Sequence, residues 1–186
     1  MPSSSPHYRQ TCRLSKGRVS TPHARYFVTF CTHQRVSAFN TNTMHTMGLR
    51  ELIKMHKSKD WNLYCATIMP DHLHLLFSLG ETLELQRVIS KAKTKLKHSV
   101  GMNHLRWQRN FFDHQLRSDA SLESFAFYMF MNPYKKRLVP RNQEWTGWYC
   151  STAFRPQFAS LLINGRFPRV EWNLAPTVND LIELDC

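Results

Sequence analysis

The residues best suited to chemistry are two histidines separated by one leucine. His72 and His74 lie in the run Asp71–Leu79, whose alternating pattern predicts a strand. Side chains two positions apart on a strand point to the same face, about 6–7 Å apart along the strand. Two imidazoles placed in this way can bind one divalent ion. The alternative is a pair of ordinary histidines exposed on a sheet.

A tyrosine and an asparagine form the second candidate group. The pattern predicts a helix from Ser121 to Asn132, in which Tyr128 and Asn132 are four positions apart. Their Cβ atoms would therefore lie about 5–6 Å apart on one helix face. A tyrosine on such a stripe is commonly a core residue, but a buried amide beside it needs hydrogen-bond partners. Facing the two histidines, the pair would supply a nucleophilic phenol and a third metal ligand.

Seven elements have to position these groups. Aromatic, β-branched or alternating runs predict four strands, and apolar residues at helical spacing predict three helices. In chain order the elements are a strand at 25–32, a helix at 40–59, strands at 61–69 and 71–79, a helix at 82–100, a strand at 106–114 and a helix at 121–132. Gly101 is a candidate C-cap, and Pro133 is expected to end or kink the last helix.

This order indicates an α+β fold of the ferredoxin-like type. Two β-α-β halves joined by a hairpin give an antiparallel sheet with helices on one face. The tyrosine-bearing helix and a C-terminal tail are additions to this core. We expect three regions, which are a basic arm at 1–24, the main domain at 25–151 and a partly acidic tail at 152–186.

Composition narrows the classes of protein. With 186 residues, 42% of them hydrophobic and 12% aromatic, the chain can build one folded core, which excludes general disorder. No apolar run reaches the roughly 18–20 residues that span a bilayer, so no membrane association is expected. Five cysteines without a CxxC pair argue against a zinc ribbon or a disulfide framework and fit a reducing cytoplasm.

The formal net charge of +12 points to an anionic polymer as partner. The first 60 residues carry most of this excess, and no acidic residue precedes Glu51. Candidate nucleic-acid contacts are Arg9, Arg13, Lys16, Arg18 and Arg25 in the arm and Lys91 and Lys95 in the helix at 82–100, whose face could equally be an ordinary solvated surface. The tail from Glu171 carries four acids and no base, and either competes with DNA for the basic face or forms a surface helix.

Several motifs resemble one family. MPDHLHLLF at 69–77 looks like the His-hydrophobic-His (HUH) motif of single-tyrosine transposases. Residues 107–117 resemble the segment that follows in REP-associated tyrosine transposases, and YMFMNP at 128–133 resembles their tyrosine-helix motif. Trp148-Tyr149-Cys150-Ser151 is a weaker match to their aromatic-serine patch. Arg137, where the family often has a small residue, and the tail after Ser151 depart from the pattern.

The resemblance to REP-associated transposases, of the IS200-like HUH superfamily, implies a function. It implies a metal-dependent nuclease and strand transferase that acts on single-stranded DNA at palindromic hairpins. Tyr128 would attack the phosphorus and form a 5′-phosphotyrosine, while His72, His74 and Asn132 would hold Mg²⁺ or Mn²⁺. His114 is a possible auxiliary group, although a structural role is the simpler interpretation. The implied protein is a monomer or homodimer in the cytoplasm, associated with the nucleoid.

Two non-catalytic alternatives remain. A ferredoxin-like sheet is also the scaffold of RNA-recognition motifs, and the aromatic run at 26–30 has a faint likeness to their strand motif. That alternative leaves the histidine pair and the Tyr128–Asn132 pair unexplained. The second alternative is a domesticated DNA-binding relative whose chemistry is idle.

Overall fold

The structure is a computed structural model that describes residues 20–172 and 176–185. Its strands and helices follow the predicted order, with one added strand and one added helix. The elements are β1 (Arg25–Cys31), α1 (Asn42–Lys57), β2 (Trp61–Ile68), β3 (His72–Leu79), α2 (Leu85–Ser99), β4 (Phe112–Leu116), α3 (Leu122–Lys135), β5 (Trp148–Cys150) and α4 (Val178–Asp185).

Local chemistry explains where the two long helices begin and end. The Thr41 hydroxyl accepts a hydrogen bond from the Met44 N–H at 3.2 Å and caps the first turn of α1. After α2, Gly101 adopts a left-handed backbone with φ of 67°, as the sequence predicts for a C-cap. The observed bounds of α1 and α2 lie inside the predicted ranges because both ends of each prediction included cap and turn residues.

The five strands form one antiparallel sheet in the order β4-β1-β3-β2-β5. The order of the first four strands is that of the ferredoxin-like fold, so the predicted fold class is confirmed. β3 lies at the centre between β1 and β2, and all eight of its residues are buried. The histidine pair therefore lies inside the molecule, and the alternative of two exposed histidines on a sheet is wrong.

Helices cover both faces of the sheet. On the first face, α1 and α2 pack against alternate residues of the strands, among them Val28, Leu75 and Phe77. We call this the α1/α2 face. On the opposite face, α3 packs against Phe27 and Leu76; we call this the α3 face. Because His72 and His74 alternate with Leu73 and Leu75 along β3, they lie on the α3 face.

The fourth strand is displaced from its prediction. The sequence predicts a strand at 106–114, whereas β4 runs from Phe112 to Leu116. Trp107 instead forms an isolated bridge with Thr32, and its indole N–H donates to the carbonyl of Lys93 at 2.9 Å. Phe111 is buried in the core of the α1/α2 face. Tertiary packing of these two aromatic residues therefore overrides their strand preference and delays pairing until residue 112.

The C-terminal region adds a short helix to the α3 side. Leu181 of α4 is buried in the same cluster as Phe130 and Tyr134 of α3. This packing agrees with the surface-helix interpretation of the tail. Within residues 20–172 and 176–185, no helix is long and apolar enough to cross a membrane.

Candidate active site

Helix α3 is anchored to the sheet beside the histidines. The sequence predicts that Pro133 ends or kinks the helix after Asn132, yet α3 continues to Lys135. A proline inside a helix cannot donate to the carbonyl four residues earlier, which is that of Met129. The hydroxyl of Thr67 in β2 is the donor instead, at 2.9 Å from the Met129 carbonyl oxygen. The sheet therefore satisfies the carbonyl that proline leaves free.

This anchor brings the four predicted chemical groups together. The Nε2 atoms of His72 and His74 lie 3.1 Å apart. The amide nitrogen of Asn132 lies 2.8 Å from Nε2 of His74 and donates to the Tyr128 hydroxyl at 3.2 Å. The phenol ring stands edge-on to the His74 imidazole, with ring centroids 5.3 Å apart. Within one chain, the structure therefore brings together the four residues that the sequence singles out.

The outer nitrogens of both imidazoles have partners that orient the rings. Asp71 Oδ1 lies 2.5 Å from His72 Nδ1, and Thr29 Oγ1 lies 2.7 Å from His74 Nδ1. The carboxylate can only accept, so Nδ1 of His72 carries a proton in this contact. The two Nε2 atoms face each other at 3.1 Å, and that of His74 also contacts the Asn132 amide at 2.8 Å. The tautomers of the two rings decide which atom donates in each of these contacts.

The donor set fits a divalent cation. Two imidazole nitrogens converge with one side-chain amide, whose oxygen can face the imidazoles after rotation of the amide group. Second hydrogen bonds such as those from Asp71 and Thr29 are typical of metal-binding histidines. In the described part of the chain, no group of three or more His, Cys, Asp or Glu side chains could hold a metal. A cation at this site would therefore be bound by His72, His74 and the oxygen of Asn132.

Burial changes the protonation of the site. Burial lowers the pKa of His74 well below its usual value, and the charges of His72 and Arg35 act in the same direction. Burial also raises the pKa of Tyr128 to about 12, although the hydrogen bond from Asn132 and the charge of Arg35 oppose that rise. His74 is therefore neutral and able to bind a cation at neutral pH, while Tyr128 holds its proton until a reaction removes it.

Asp71 is charged despite its partial burial. Burial alone would raise the pKa of this carboxyl, but the hydrogen bond and charge of His72, together with Arg35, lower it overall. The sequence patterns did not predict a role for Asp71, Thr29 or Arg35 in the site. Asp71 precedes His72 directly, which was a usable signal, whereas Thr29 and Arg35 meet the site only through strand pairing and loop geometry.

His114 lies beyond two aromatic rings from His74. It lies on β4 opposite Phe27, and its ring stacks on Phe125 of α3 with centroids 5.9 Å apart. Phe125 in turn packs against Phe27, whose ring stacks on His74 at 5.5 Å. His114 is thus connected to the site through two aromatic rings, which agrees with the structural interpretation of this residue.

The structure describes three of the seven predicted nucleic-acid contacts. Arg9, Arg13, Lys16 and Arg18 lie outside the described residues, so their role stays a prediction. The Arg25 guanidinium donates to the carbonyl of Arg117. Lys91 pairs with the buried carboxylate of Asp60 at 2.7 Å, and Lys95 lies 4.0 Å from Glu51. Both lysines belong to α2, on the opposite side of the sheet from His72 and His74.

Comparison with known proteins identifies the family of this chain. The family described as "Transposase IS200 like" matches residues 20–129, which is more than half of the chain. The chain therefore belongs to the IS200-like transposase family. This match includes β1 to β4 and the first part of α3 as far as Met129, so it contains His72, His74 and Tyr128, whereas Asn132 lies beyond its end.

Individual relatives are more distant. The REP-associated tyrosine transposase of Escherichia coli (strain K12) is 23% identical over 121 residues, which cover 64% of this chain and 72% of the relative. A Haemophilus influenzae relative with the same designation is 32% identical over 92 residues, covering 42% and 52%. A solved REP-associated tyrosine transposase bound to a REP hairpin has a TM-score of 0.55 at 23% identity, covering 66% and 73%. This last likeness establishes a shared fold.

Proposed function

We propose that this transposase is a metal-dependent endonuclease and strand transferase for single-stranded DNA. The observation that carries the proposal is a series of hydrogen-bond contacts that links His72 to His74, His74 to Asn132, and Asn132 to the Tyr128 hydroxyl. A non-catalytic binding module would have no use for a tyrosine hydroxyl buried beside two imidazoles and an amide. Structural interpretations of the single residues do not explain why all four meet.

Tyr128 is the proposed nucleophile. Its oxygen attacks a phosphorus of the DNA backbone, an O–P bond forms, and the bond from phosphorus to the 3′ oxygen breaks. The leaving 3′ oxygen takes a proton and becomes a hydroxyl, while the 5′ phosphate stays on the tyrosine. Because the phosphotyrosine retains a phosphodiester bond, attack by another 3′-hydroxyl rejoins DNA, which is strand transfer. The pKa of about 12 means that the phenol must lose its proton during the attack.

The remaining groups lower the cost of this step. With its nitrogen toward the site, the Asn132 amide donates to the phenol oxygen; after rotation it presents its oxygen to a cation instead, so it fills one of these roles at a time. Mg²⁺ or Mn²⁺ held by His72, His74 and Asn132 would neutralise phosphate charge, and imidazole ligands favour Mn²⁺ of the two. Asp71 and Thr29 hold the two imidazoles in the orientation that this binding requires.

Single strands with palindromic hairpins are the proposed substrate. The +12 net charge favours a polyanion, and the solved relative was bound to a REP hairpin. Tyr128 is partly buried against the sheet, so the scissile phosphate has to approach a recessed site. A flexible strand beside a stem can enter such a site more readily than a stiff duplex can.

The test is covalent capture from a pool of labelled single strands that carry a stem-loop with randomised flanks, in the presence of Mn²⁺. The wild type should form an adduct that survives denaturing gels, and sequencing of the captured strands gives the target. Peptide mapping should place the adduct on Tyr128, and Tyr128→Phe should abolish it while leaving binding nearly unchanged.

Two results would contradict the proposal. An adduct that persists in Tyr128→Phe would assign another nucleophile. Strong binding of stem-loops without any adduct, at any Mg²⁺ or Mn²⁺ concentration, would instead favour the idle DNA-binding relative. A perfect duplex of the captured sequence serves as the substrate control and should remain uncut.

A further inference from the structure

The segment after β1 has an unusual backbone. Gln34 and Arg35 both adopt left-handed conformations, with φ of 54° and 57°. Neither residue is a glycine, and a side chain in this region crowds the backbone. Two such residues in succession persist only where the surrounding structure holds them, and conformations of this kind cluster at functional sites.

The segment is fastened to the residues that precede His72. The Thr32 N–H donates to the Asp71 carbonyl at 2.9 Å, and the Thr32 hydroxyl lies 3.1 Å from the same oxygen and 2.7 Å from the Val36 carbonyl. Farther along, the N–H groups of Ala38 and Phe39 both reach the Pro70 carbonyl. The backbone of Arg35 is thereby held in a defined position relative to the histidine pair.

The Arg35 side chain extends toward the reacting groups. Its Nη1 atom lies 3.2 Å from Asp71 Oδ2, on the carboxylate whose other oxygen holds His72. More than half of the side chain, 53%, remains exposed to solvent. Arg35 therefore lies beside the candidate site, one carboxylate away from the His72 imidazole.

A structural role alone does not account for this arrangement. Asp71 already has His72 as a partner at 2.5 Å, and an ion pair as exposed as that with Arg35 contributes little to stability. The left-handed backbone carries a cost that this ion pair does not offset. A guanidinium with five N–H donors can keep its contact with Asp71 and still donate to a phosphate.

We propose that Arg35 binds a non-bridging oxygen of the scissile phosphate and stabilises the charge that builds up there when Tyr128 attacks. This inference rests on the proposed function and adds a residue to it. Attack by a phenol on an anionic phosphodiester concentrates negative charge on the non-bridging oxygens. A fixed guanidinium matches such oxygens in geometry and charge, because its N–H groups lie in one plane and never lose their charge.

The test removes the negative charge from the scissile phosphate. Once the cleavage position is mapped, the strand is synthesised with a methylphosphonate at that linkage, which is neutral and lacks one non-bridging oxygen. Arg35→Ala should slow single-turnover cleavage of the normal strand by roughly 10²–10³-fold, the usual effect of removing one such donor. On one methylphosphonate diastereomer, the same substitution should change the rate several-fold at most.

Further variants distinguish a direct contact of Arg35 with the phosphate from a role in positioning Asp71. Arg35→Gly should lose as much cleavage as Arg35→Ala while melting at a higher temperature, because glycine adopts φ of 57° without steric cost. Arg35→Lys should recover part of the rate, since it keeps the charge without the planar geometry. Arg50→Ala, at an exposed arginine of α1 on the opposite side of the sheet, is the matched control and should cleave at the wild-type rate.

The outcomes are distinct. Equal losses on the normal and methylphosphonate strands, matched by Asp71→Asn, would mean that Arg35 only positions Asp71, and the inference would be overturned while the proposed function stands. A wild type that cleaves no strand overturns the proposed function and this inference with it. A cleavage rate that Arg35→Ala leaves unchanged refutes the inference directly.

Discussion

The two faces of the sheet bury different kinds of residue on the same strand. Along β3, the α1/α2 face receives Leu73, Leu75 and Phe77, whereas the α3 face receives His72 and His74. Apolar side chains need only space and close packing. Buried imidazoles need a hydrogen-bond partner for each nitrogen, and those on the α3 face have them. Both faces therefore contribute an apolar core, and the α3 face adds to its own a buried polar cluster that contains the candidate site.

The polar cluster on the α3 face is compatible with a stable fold because its buried groups have hydrogen-bond partners. A buried polar group without a partner costs about 1–3 kcal/mol of the free energy of unfolding. The α3 face avoids this cost because Asp71, Thr29 and Asn132 supply partners to the histidines. Substitutions on the two faces should accordingly have different effects on stability and on cleavage.

The largest expected effect is on cleavage at the α3 face. His72→Ala and His74→Ala should each reduce adduct formation by more than the roughly 10–100-fold cost of losing a partner of a metal ligand. Removal of divalent ions with EDTA should have the same effect. Asn132→Ala should be milder, because water can replace a weak amide ligand. Undiminished adduct formation in EDTA would refute a metal-dependent site.

Substitution of Leu75, which follows His74 on β3 but lies on the α1/α2 face, should reduce stability and not cleavage. Leu75→Ala leaves a cavity on the α1/α2 face and should lower the free energy of unfolding by about 2–5 kcal/mol, measured by urea denaturation. Cleavage per folded molecule should match the wild type at temperatures where the variant is folded. A selective loss of cleavage in Leu75→Ala would show that the two faces are not separate in function.

A smaller effect is expected at the anchor between β2 and α3. Thr67→Val removes the hydroxyl that binds the Met129 carbonyl, leaving that oxygen unsatisfied at a cost of about 1–3 kcal/mol of stability. Cleavage should fall as well, since α3 carries Tyr128. Thr67→Ser keeps the hydroxyl and should retain cleavage. If Val and Ser behave alike in both assays, the hydroxyl does not anchor the helix.

The smallest expected effect is a pH dependence of stability that comes from His45, a buried residue of α1. Burial lowers the pKa of His45, so this residue binds a proton more readily in the unfolded chain than in the folded one. The free energy of unfolding should therefore fall as the pH drops below the unfolded value of about 6.5, by at most about 1.4 kcal/mol per pH unit for one histidine. His45→Gln should flatten this slope in denaturation curves at pH 5 to 7. A steeper slope in the variant would contradict a lowered pKa of His45 in the folded protein.

Much of the scaffold follows from local sequence patterns. Alternation places His72 and His74 on one face of β3, and helical spacing places Tyr128 beside Asn132. These relations involve residues two to four positions apart, where backbone geometry alone decides which side chains are neighbours. The fold class follows in turn from the order of the elements, which such local patterns also supply.

Features that depend on distant contacts did not follow from the sequence. β4 begins only at Phe112 because Trp107 and Phe111 pack against the α1/α2 face, and the three residues of β5 are too few to form a periodic pattern. The continuation of α3 past Pro133 depends on Thr67, which lies more than 60 positions away along the chain. Thr29 meets His74 only through the register between β1 and β3.

The meeting of Tyr128 with His72 and His74 inside one chain also has a kinetic consequence. If Tyr128 acts with the histidines of its own chain, each molecule can make the proposed first cut alone, and the rate of that cut should rise with the first power of protein concentration. A mixture of His72→Ala with Tyr128→Phe should stay inactive, since neither chain completes the other. Any cooperation between molecules would then enter only when two DNA ends are exchanged.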